Sequence, residues 1–235
     1  MHCARQAMNA DWASFEHSLD TAGHAVLPAL LTPDQCAELA ALYPKSEGFR
    51  SRVVMERHGF GRGEYKYFDY PLPPLLDRLR HELYPRLAPI ANRWNALLGT
   101  DTRYPDRLDE YLQRCHQAGQ TRPTPLILQY QAGDYNCLHQ DLYGEHVFPL
   151  QLTILLSRAG EDFIGGEFVM TETASSGQRA EVVVLDQGDA VVFAVNHRPA
   201  QGRRGGTRKV AMRHGVSRLR SGRRHTIGLI FHDAI

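Results

Sequence analysis

His139-Gln140-Asp141 sets an imidazole and a carboxylate two positions apart, a spacing that in an extended strand puts both side chains on one face. Two such groups can share a metal ion. A second histidine, His214, stands at the end of a later predicted strand, and two histidines with one carboxylate make a facial triad that leaves positions open for non-haem iron(II) and dioxygen. Arg223 and Arg224 follow at the start of the last strand. A guanidinium there can grip a carboxylate with two parallel hydrogen bonds, as a 2-oxo-acid cosubstrate requires. Strand alternation gives Arg224 the Thr226 hydroxyl on its own face, whereas Arg223 shares a face with His225. Arg224 with Thr226 is therefore the expected carboxylate-binding pair. The same triad also suits a hydrolytic zinc centre with a metal-bound water, or a cupin-like barrel that binds metal without catalysis.

Such residues need strands to hold them, and the second half of the chain supplies short apolar runs separated by turn residues. Leu126–Gln131, Pro149–Ser157, Glu167–Thr171, Glu181–Leu185, Ala190–Val195, Lys209–His214 and Thr226–His232 are the predicted strands, with Asp186-Gln187-Gly188-Asp189 as a tight connection. Strands of this length and spacing indicate a sandwich or barrel, of which the double-sheet jelly roll is one form.

The first half is helix-rich. Trp12, Phe15 and Leu19 have helical spacing before Gly23, and Thr32-Pro33-Asp34-Gln35 has the composition of a capping box that opens a helix through Cys36 and Leu39. Leu75, Leu79, Leu83, Leu87, Ile90, Trp94 and Leu97 mark a longer helix, in which Pro85 and Pro89 predict a break or kink. A further helix covers about Asp106–Gln117, and Arg52–Glu56 with Glu64–Phe68 flank a glycine-rich turn as a hairpin. The texture changes near Gly119–Pro125. Residues 1–120 are thus expected to form a helix-rich support segment and residues 121–235 a jelly-roll domain, an α+β fold.

Composition bounds the partners. With 235 residues, 43% hydrophobic and 23% charged, the chain can bury one sizeable core and is neither disordered nor fibrous. A net charge of +1 argues against a uniformly basic nucleic-acid coat. The average hides an asymmetry, because no acidic residue occurs between Asp189 and Asp233 while Arg198, Arg203, Arg204, Arg208, Lys209 and Arg213 cluster there. That run suits either phosphates or a solvated loop made electropositive for an anionic cosubstrate, and nucleic acid is the less favoured of the two. The four cysteines form no C-x-x-C pair, and neither a signal peptide nor a long apolar span is evident, so a cytoplasmic protein with reduced thiols and no membrane partner is expected.

The segment Leu128–Asp141, LQYQAGDYNCLHQD, resembles the strand, turn and H-x-D stretch of AlkB-type members of the Fe(II)/2-oxoglutarate-dependent dioxygenases. The order of H-x-D, Gly165-Gly166-Glu167-Phe168, Leu185–Phe193 and HGVSRLRSGRRHTIGLIFHDA resembles their prolyl-hydroxylase-like branch. More closely, YNCLHQDLYGEHVFPLQ with the RHGVS and FHDA ends is similar to a prokaryotic oxygenase group labelled, by analogy with AlkB, as acting on damaged DNA. An asparagine that some AlkB-type members carry two residues before the tyrosine is Leu128 here.

The resemblance implies a double-stranded β-helix core with the N-terminal helical segment packed on it. His139, Asp141 and His214 would hold Fe(II), Arg224 and Thr226 would bind 2-oxoglutarate, and Tyr130 stands where a tyrosine touches that cosubstrate. The implied reaction consumes dioxygen and converts 2-oxoglutarate to succinate while a substrate is hydroxylated or oxidatively demethylated. That substrate is a small molecule, a protein residue or a nucleobase, with alkylated DNA or RNA as the alternative an AlkB-type activity would imply. Tyr135, Asn136, Tyr143 and Arg213 are candidate substrate contacts, and Gly59–Gly63 with Glu64–Tyr67 forms either a lid or a plain hairpin. Cys137 is expected as a small buried thiol, and His232 and Asp233 as a polar strand end rather than catalytic groups.

Overall fold

The computed structural model describes residues 11–142, 144–174, 177–202 and 205–235. Tyr143, Arg203, Arg204 and Cys3, singled out above, lie outside these. Among the described residues the helices are α1 (Trp12–Ala22), α2 (Pro33–Ala40), α3 (Pro74–Leu97) and α4 (Leu108–Gln117). The strands are β1 (His24–Leu27), β2 (Phe49–Val54), β3 (Gly61–Arg62), β4 (Glu64–Phe68), β5 (Leu126–Gln131), β6 (Tyr135–His139) and β7 (Leu150–Leu155). After these come β8 (Phe163–Gly165), β9 (Phe168–Ala174), β10 (Gly177–Val183), β11 (Ala190–Ala194), β12 (His197–Gln201), β13 (Thr207–Val216) and β14 (Leu219–Leu229). No described helix is long and apolar enough to cross a membrane.

Two antiparallel sheets form the core. The major sheet runs β1-β11-β7-β14-β5-β4-β2, with β8 also on β14, and the minor sheet runs β10-β9-β13-β6-β3, with β12 also on β13. This is an α+β fold with a double-stranded β-helix at its centre. β7 and β11 are buried at every position, as strands covered on both faces must be. Strands from the first half of the chain join the same sheet: β1 pairs with β11, and β4 pairs with β5. The change of texture near residue 120 therefore does not divide the sheet.

Local chemistry explains the helices. Thr32 caps α2, its hydroxyl accepting from the Gln35 backbone N–H while the Gln35 side chain accepts from the Thr32 N–H. α3 is one unbroken helix through Pro85 and Pro89, where a break was expected. Both prolines are exposed and four residues apart, so their missing N–H groups fall on the solvent side, where water can satisfy the freed carbonyls. The opposite stripe, Leu79, Leu83, Leu87, Ile90 and Trp94, is buried and holds the helix straight through.

The C-terminal residues are tied to α3 and α4. Arg80 is buried and donates to the Ile230 carbonyl at 2.9 Å and to Asp233 Oδ1 at 2.9 Å. Asp233 also accepts from the Tyr70 hydroxyl at 3.0 Å and meets His116 Nε2 at 2.8 Å. His232 Nδ1 accepts from the Phe148 N–H at 3.2 Å. His232 and Asp233 are thus structural anchors at the end of the last strand.

Candidate active site

β6 and β13 lie side by side with His139 opposite His214 in register. That pairing brings the two imidazole rings to 4.2 Å between centroids. Asp141, two residues past the end of the ladder, points its carboxylate between them: Oδ1 lies 3.4 Å from His139 Nε2 and Oδ2 lies 3.4 Å from His214 Nε2. One ligand atom from each residue falls within 4.8 Å of the others, and no other described group of three or more His, Cys, Asp or Glu side chains has this geometry.

The surroundings set the protonation. His139 Nδ1 lies 2.8 Å from the Cys137 carbonyl and so carries the proton there, leaving the Nε2 lone pair aimed at the centre. Burial pushes the Asp141 carboxyl up, but hydrogen bonds and charge from His139 and His214 outweigh it and hold the group well below the usual carboxylate range. His214, packed at 4.5 Å from the Phe193 ring, is lowered by burial, so its imidazole is readily neutral. His139 is lowered by burial and raised more strongly by Asp141, with a net upward shift.

The three side chains open on a cavity of about 230 Å³ between the sheets. Its major-sheet wall carries Tyr130 on β5, Gln151 and Thr153 on β7, and Arg224 and Thr226 on β14. Arg224 is 2% exposed, stands opposite Tyr130 in register, and holds its guanidinium carbon 5.8 Å from the Tyr130 ring centroid. Its Nε and Nη1 have no hydrogen-bond partner in the protein. Burial pulls its pKa down to about 10, with Tyr130 and Glu167 acting the other way. The Tyr130 phenol is pushed up by burial. Arg223 is exposed on the opposite face of the same strand.

The β2–β4 hairpin is fastened to both sheets. β4 joins β5, while β3 at the tip pairs with β6 through Gly61 and Arg62. Gly61, at φ +120°, lets the tip approach so closely that an added Cβ would sit 2.4 Å from the Tyr135 carbonyl oxygen. The segment is therefore a clasp held by a ladder, and its Met55, Phe60, Tyr65 and Tyr67 form the outer, apolar wall of the cavity. β2 ends at Val54, two residues before the strand end expected from sequence, because Met55–His58 turn as a 3-10 helix.

Other expectations resolve differently. Asn136 lines the cavity, whereas Tyr135 and Arg213 do not. Cys137 is exposed, not buried. His214 pairs with His139 and Val216 with Asn136, so β6 has one residue more than β13 across this interval; the bulge breaks the alternation that would put Cys137 on the face of His139. Arg198 is 4% exposed; it forms an ion pair with Glu172 and donates to the Asp20 carbonyl at 2.9 Å, so it is not a free cation. Gln151, Met55, Phe60 and Phe168 escaped the sequence reading, since isolated residues of these types carry no motif.

Fold and site together define the class: the architecture is that of the 2-oxoglutarate- and iron(II)-dependent oxygenases. A Pseudomonas putida prolyl-4-hydroxylase superposes with a TM-score of 0.54 at 14% identity, covering 92% of this chain and 96% of that one. A Trichoplax adhaerens prolyl hydroxylase in complex with a hypoxia inducible factor peptide gives 0.56 at 12% identity, with 96% and 88% covered. HygX of Streptomyces hygroscopicus, with nickel and 2-oxoglutarate bound, gives 0.51 at 17%, with 92% and 85% covered. The chain belongs to the Oxygenase-NA family, described as an oxygenase catalysing oxidative methylation of damaged DNA, whose family model matches residues 63–234. Two uncharacterized proteins of Mycobacterium tuberculosis are each 49% identical to it over 168 residues, 71% of this chain and 72% of theirs.

Proposed function

We propose that the chain is an Fe(II)/2-oxoglutarate-dependent dioxygenase in which His139, Asp141 and His214 hold the metal and Arg224, with Thr226 and Tyr130, binds the cosubstrate. The observation that carries this reading is a buried guanidinium with two unpartnered nitrogens in the same cavity as a two-histidine, one-carboxylate donor set. A buried cation without an anion is costly, and a dicarboxylate that reaches from the donor set to Arg224 relieves it. A hydrolytic zinc site has no use for that guanidinium. The donor set fits iron(II), with neutral imidazole nitrogens and one carboxylate on one side of the centre and the other side left open.

Bound iron(II) and 2-oxoglutarate would supply the oxidising chemistry, with dioxygen consumed, succinate and carbon dioxide released, and one oxygen atom inserted into a substrate C–H bond. The chain's own residues do the rest. His139 and His214 present Nε2 lone pairs, Asp141 contributes the anionic ligand, and Arg224 orients the distal carboxylate with charge-assisted hydrogen bonds. The apolar wall of Met55, Phe60, Tyr65 and Tyr67 limits water and receives the substrate group. Protein incubated with Fe(II), a reductant and 2-oxoglutarate in air is expected to form succinate slowly even without substrate. No succinate, together with no binding of 2-oxoglutarate to the metal-loaded protein, would sink the reading.

The family description names damaged DNA, and the described part of the basic segment bears on that substrate. Arg198 is buried against Glu172 and Arg208 is half-buried, which leaves Lys209 and Arg213 as its exposed cations among the described residues. We therefore expect weak binding to single- or double-stranded DNA near physiological salt. Its log–log salt slope should be well short of the roughly −4.5 that five phosphate contacts give. A slope that steep, flattened by neutralising Lys209 and Arg213, with formaldehyde released from methylated oligonucleotides, would instead make alkylated DNA the substrate.

A further inference from the structure

Asp141 is the member of the donor set that no strand ladder holds. His139 ends β6 and His214 lies within β13, but Asp141 follows the last ladder residue and its carboxylate would be free to rotate. Two glutamines prevent this, one from each sheet. The Gln140 amide nitrogen donates to Asn196 Oδ1 at 2.8 Å and to the Met212 carbonyl at 2.8 Å, pinning the backbone turn to the minor sheet. The Gln151 amide nitrogen, on β7 of the major sheet, donates to Asp141 Oδ2 at 2.8 Å.

The orientation of that amide is settled by charge: the reverse placement would set its oxygen against a carboxylate oxygen. Gln151 is 5% exposed, and its Oε1 has no hydrogen-bond partner in the protein. A residue kept only to fill this space would be better as methionine, which leaves no buried acceptor unmatched. Here one end of the amide is left unmatched while the other is committed to the carboxylate.

We propose that Gln151 is a positioning residue that decides which oxygen of Asp141 meets the metal. With Oδ2 committed to the amide, Oδ1 on the His139 side is the free donor. The carboxylate then coordinates through one oxygen, and the remaining positions stay open for the cosubstrate. This rests on the metal reading above, and cobalt(II) titration of the wild-type apoprotein tests that reading separately: if the wild type binds no cobalt(II), the donor set has been misread.

Given wild-type binding, Gln151→Met conserves volume and removes the donor. It is expected to leave the thermal midpoint of the metal-free protein unchanged or slightly raised. Cobalt(II) affinity is expected to fall about 10- to 100-fold, the usual cost of losing a partner that orients a metal ligand, with an altered ligand-field spectrum. Gln151→His, which places an N–H donor at about the same reach, recovers most of the affinity with the wild-type band position; space-filling alone predicts no such rescue. Gln151→Asn withdraws the amide by one methylene and is expected to weaken binding as methionine does, and its titration decides the matter if the methionine variant does not fold. Affinity within threefold of wild type and an unchanged spectrum in the methionine or asparagine variant would overturn the proposal.

Discussion

Asp141→Ala is expected to abolish the pale visible band that forms when Fe(II) and 2-oxoglutarate are added to the protein without oxygen. The carboxylate is the anionic ligand of the set, and its two oxygens each face one of the imidazoles at 3.4 Å. Without it two neutral nitrogens remain, and metal affinity should fall by more than about a hundredfold, beyond what losing an outer partner costs. A second readout avoids catalysis. A ligand at a hundredfold excess over its Kd stabilises the folded state by about 2.7 kcal/mol. For a chain of this size that raises the thermal midpoint by roughly 5–10 °C. Wild-type protein should show this rise with metal and the Asp141 variant almost none. An equal rise in both would remove Asp141 from the ligand set.

Arg224→Met should separate function from stability. The lost charge-assisted contact is worth about 1.5–3 kcal/mol, so the Kd for 2-oxoglutarate should rise roughly 10- to 150-fold while metal affinity barely moves. The ligand-free protein should be as stable as wild type or more so, because the substitution replaces an uncompensated buried guanidinium with an apolar chain. Arg223→Ala, on the exposed face of the strand, should change neither quantity by much. Calorimetric titration with 2-oxoglutarate checks all three proteins; if Arg223→Ala has the larger effect, the assignment of the carboxylate-binding arginine is reversed.

Strand parity placed Arg224 and Thr226 together on the cavity face because β14 is regular across that interval, pairing residue by residue with β5 from Arg223 to Gly228. The same rule failed at Cys137, where β6 carries a bulge, since an extra residue shifts every following side chain by one face and leaves no mark in composition. α3 illustrates a different limit: proline has a strong local preference, yet its cost depends on whether the freed carbonyls meet water or core, and only the packed helix shows that they face water. Arg198 was read as a solvent-facing cation, but residues distant in sequence, Asp20 and Glu172, close around it.

What the sequence determined alone was therefore what is local or periodic. The H-x-D spacing with His214, the capping box at Thr32, the alternation on the last strand and the strand-rich second half all depend on residues a few positions apart, or on side-chain types that few roles can use. The tertiary structure decided which distant groups meet. It brought β1 and the β2–β4 hairpin into the sheet of the second half, fastened the hairpin tip to β6 as a wall of the cavity, and set Gln151 of one sheet against Asp141 of the other. Contacts of that kind are selected by the packing of the whole core, to which each pair contributes little, so no short stretch of chain encodes them.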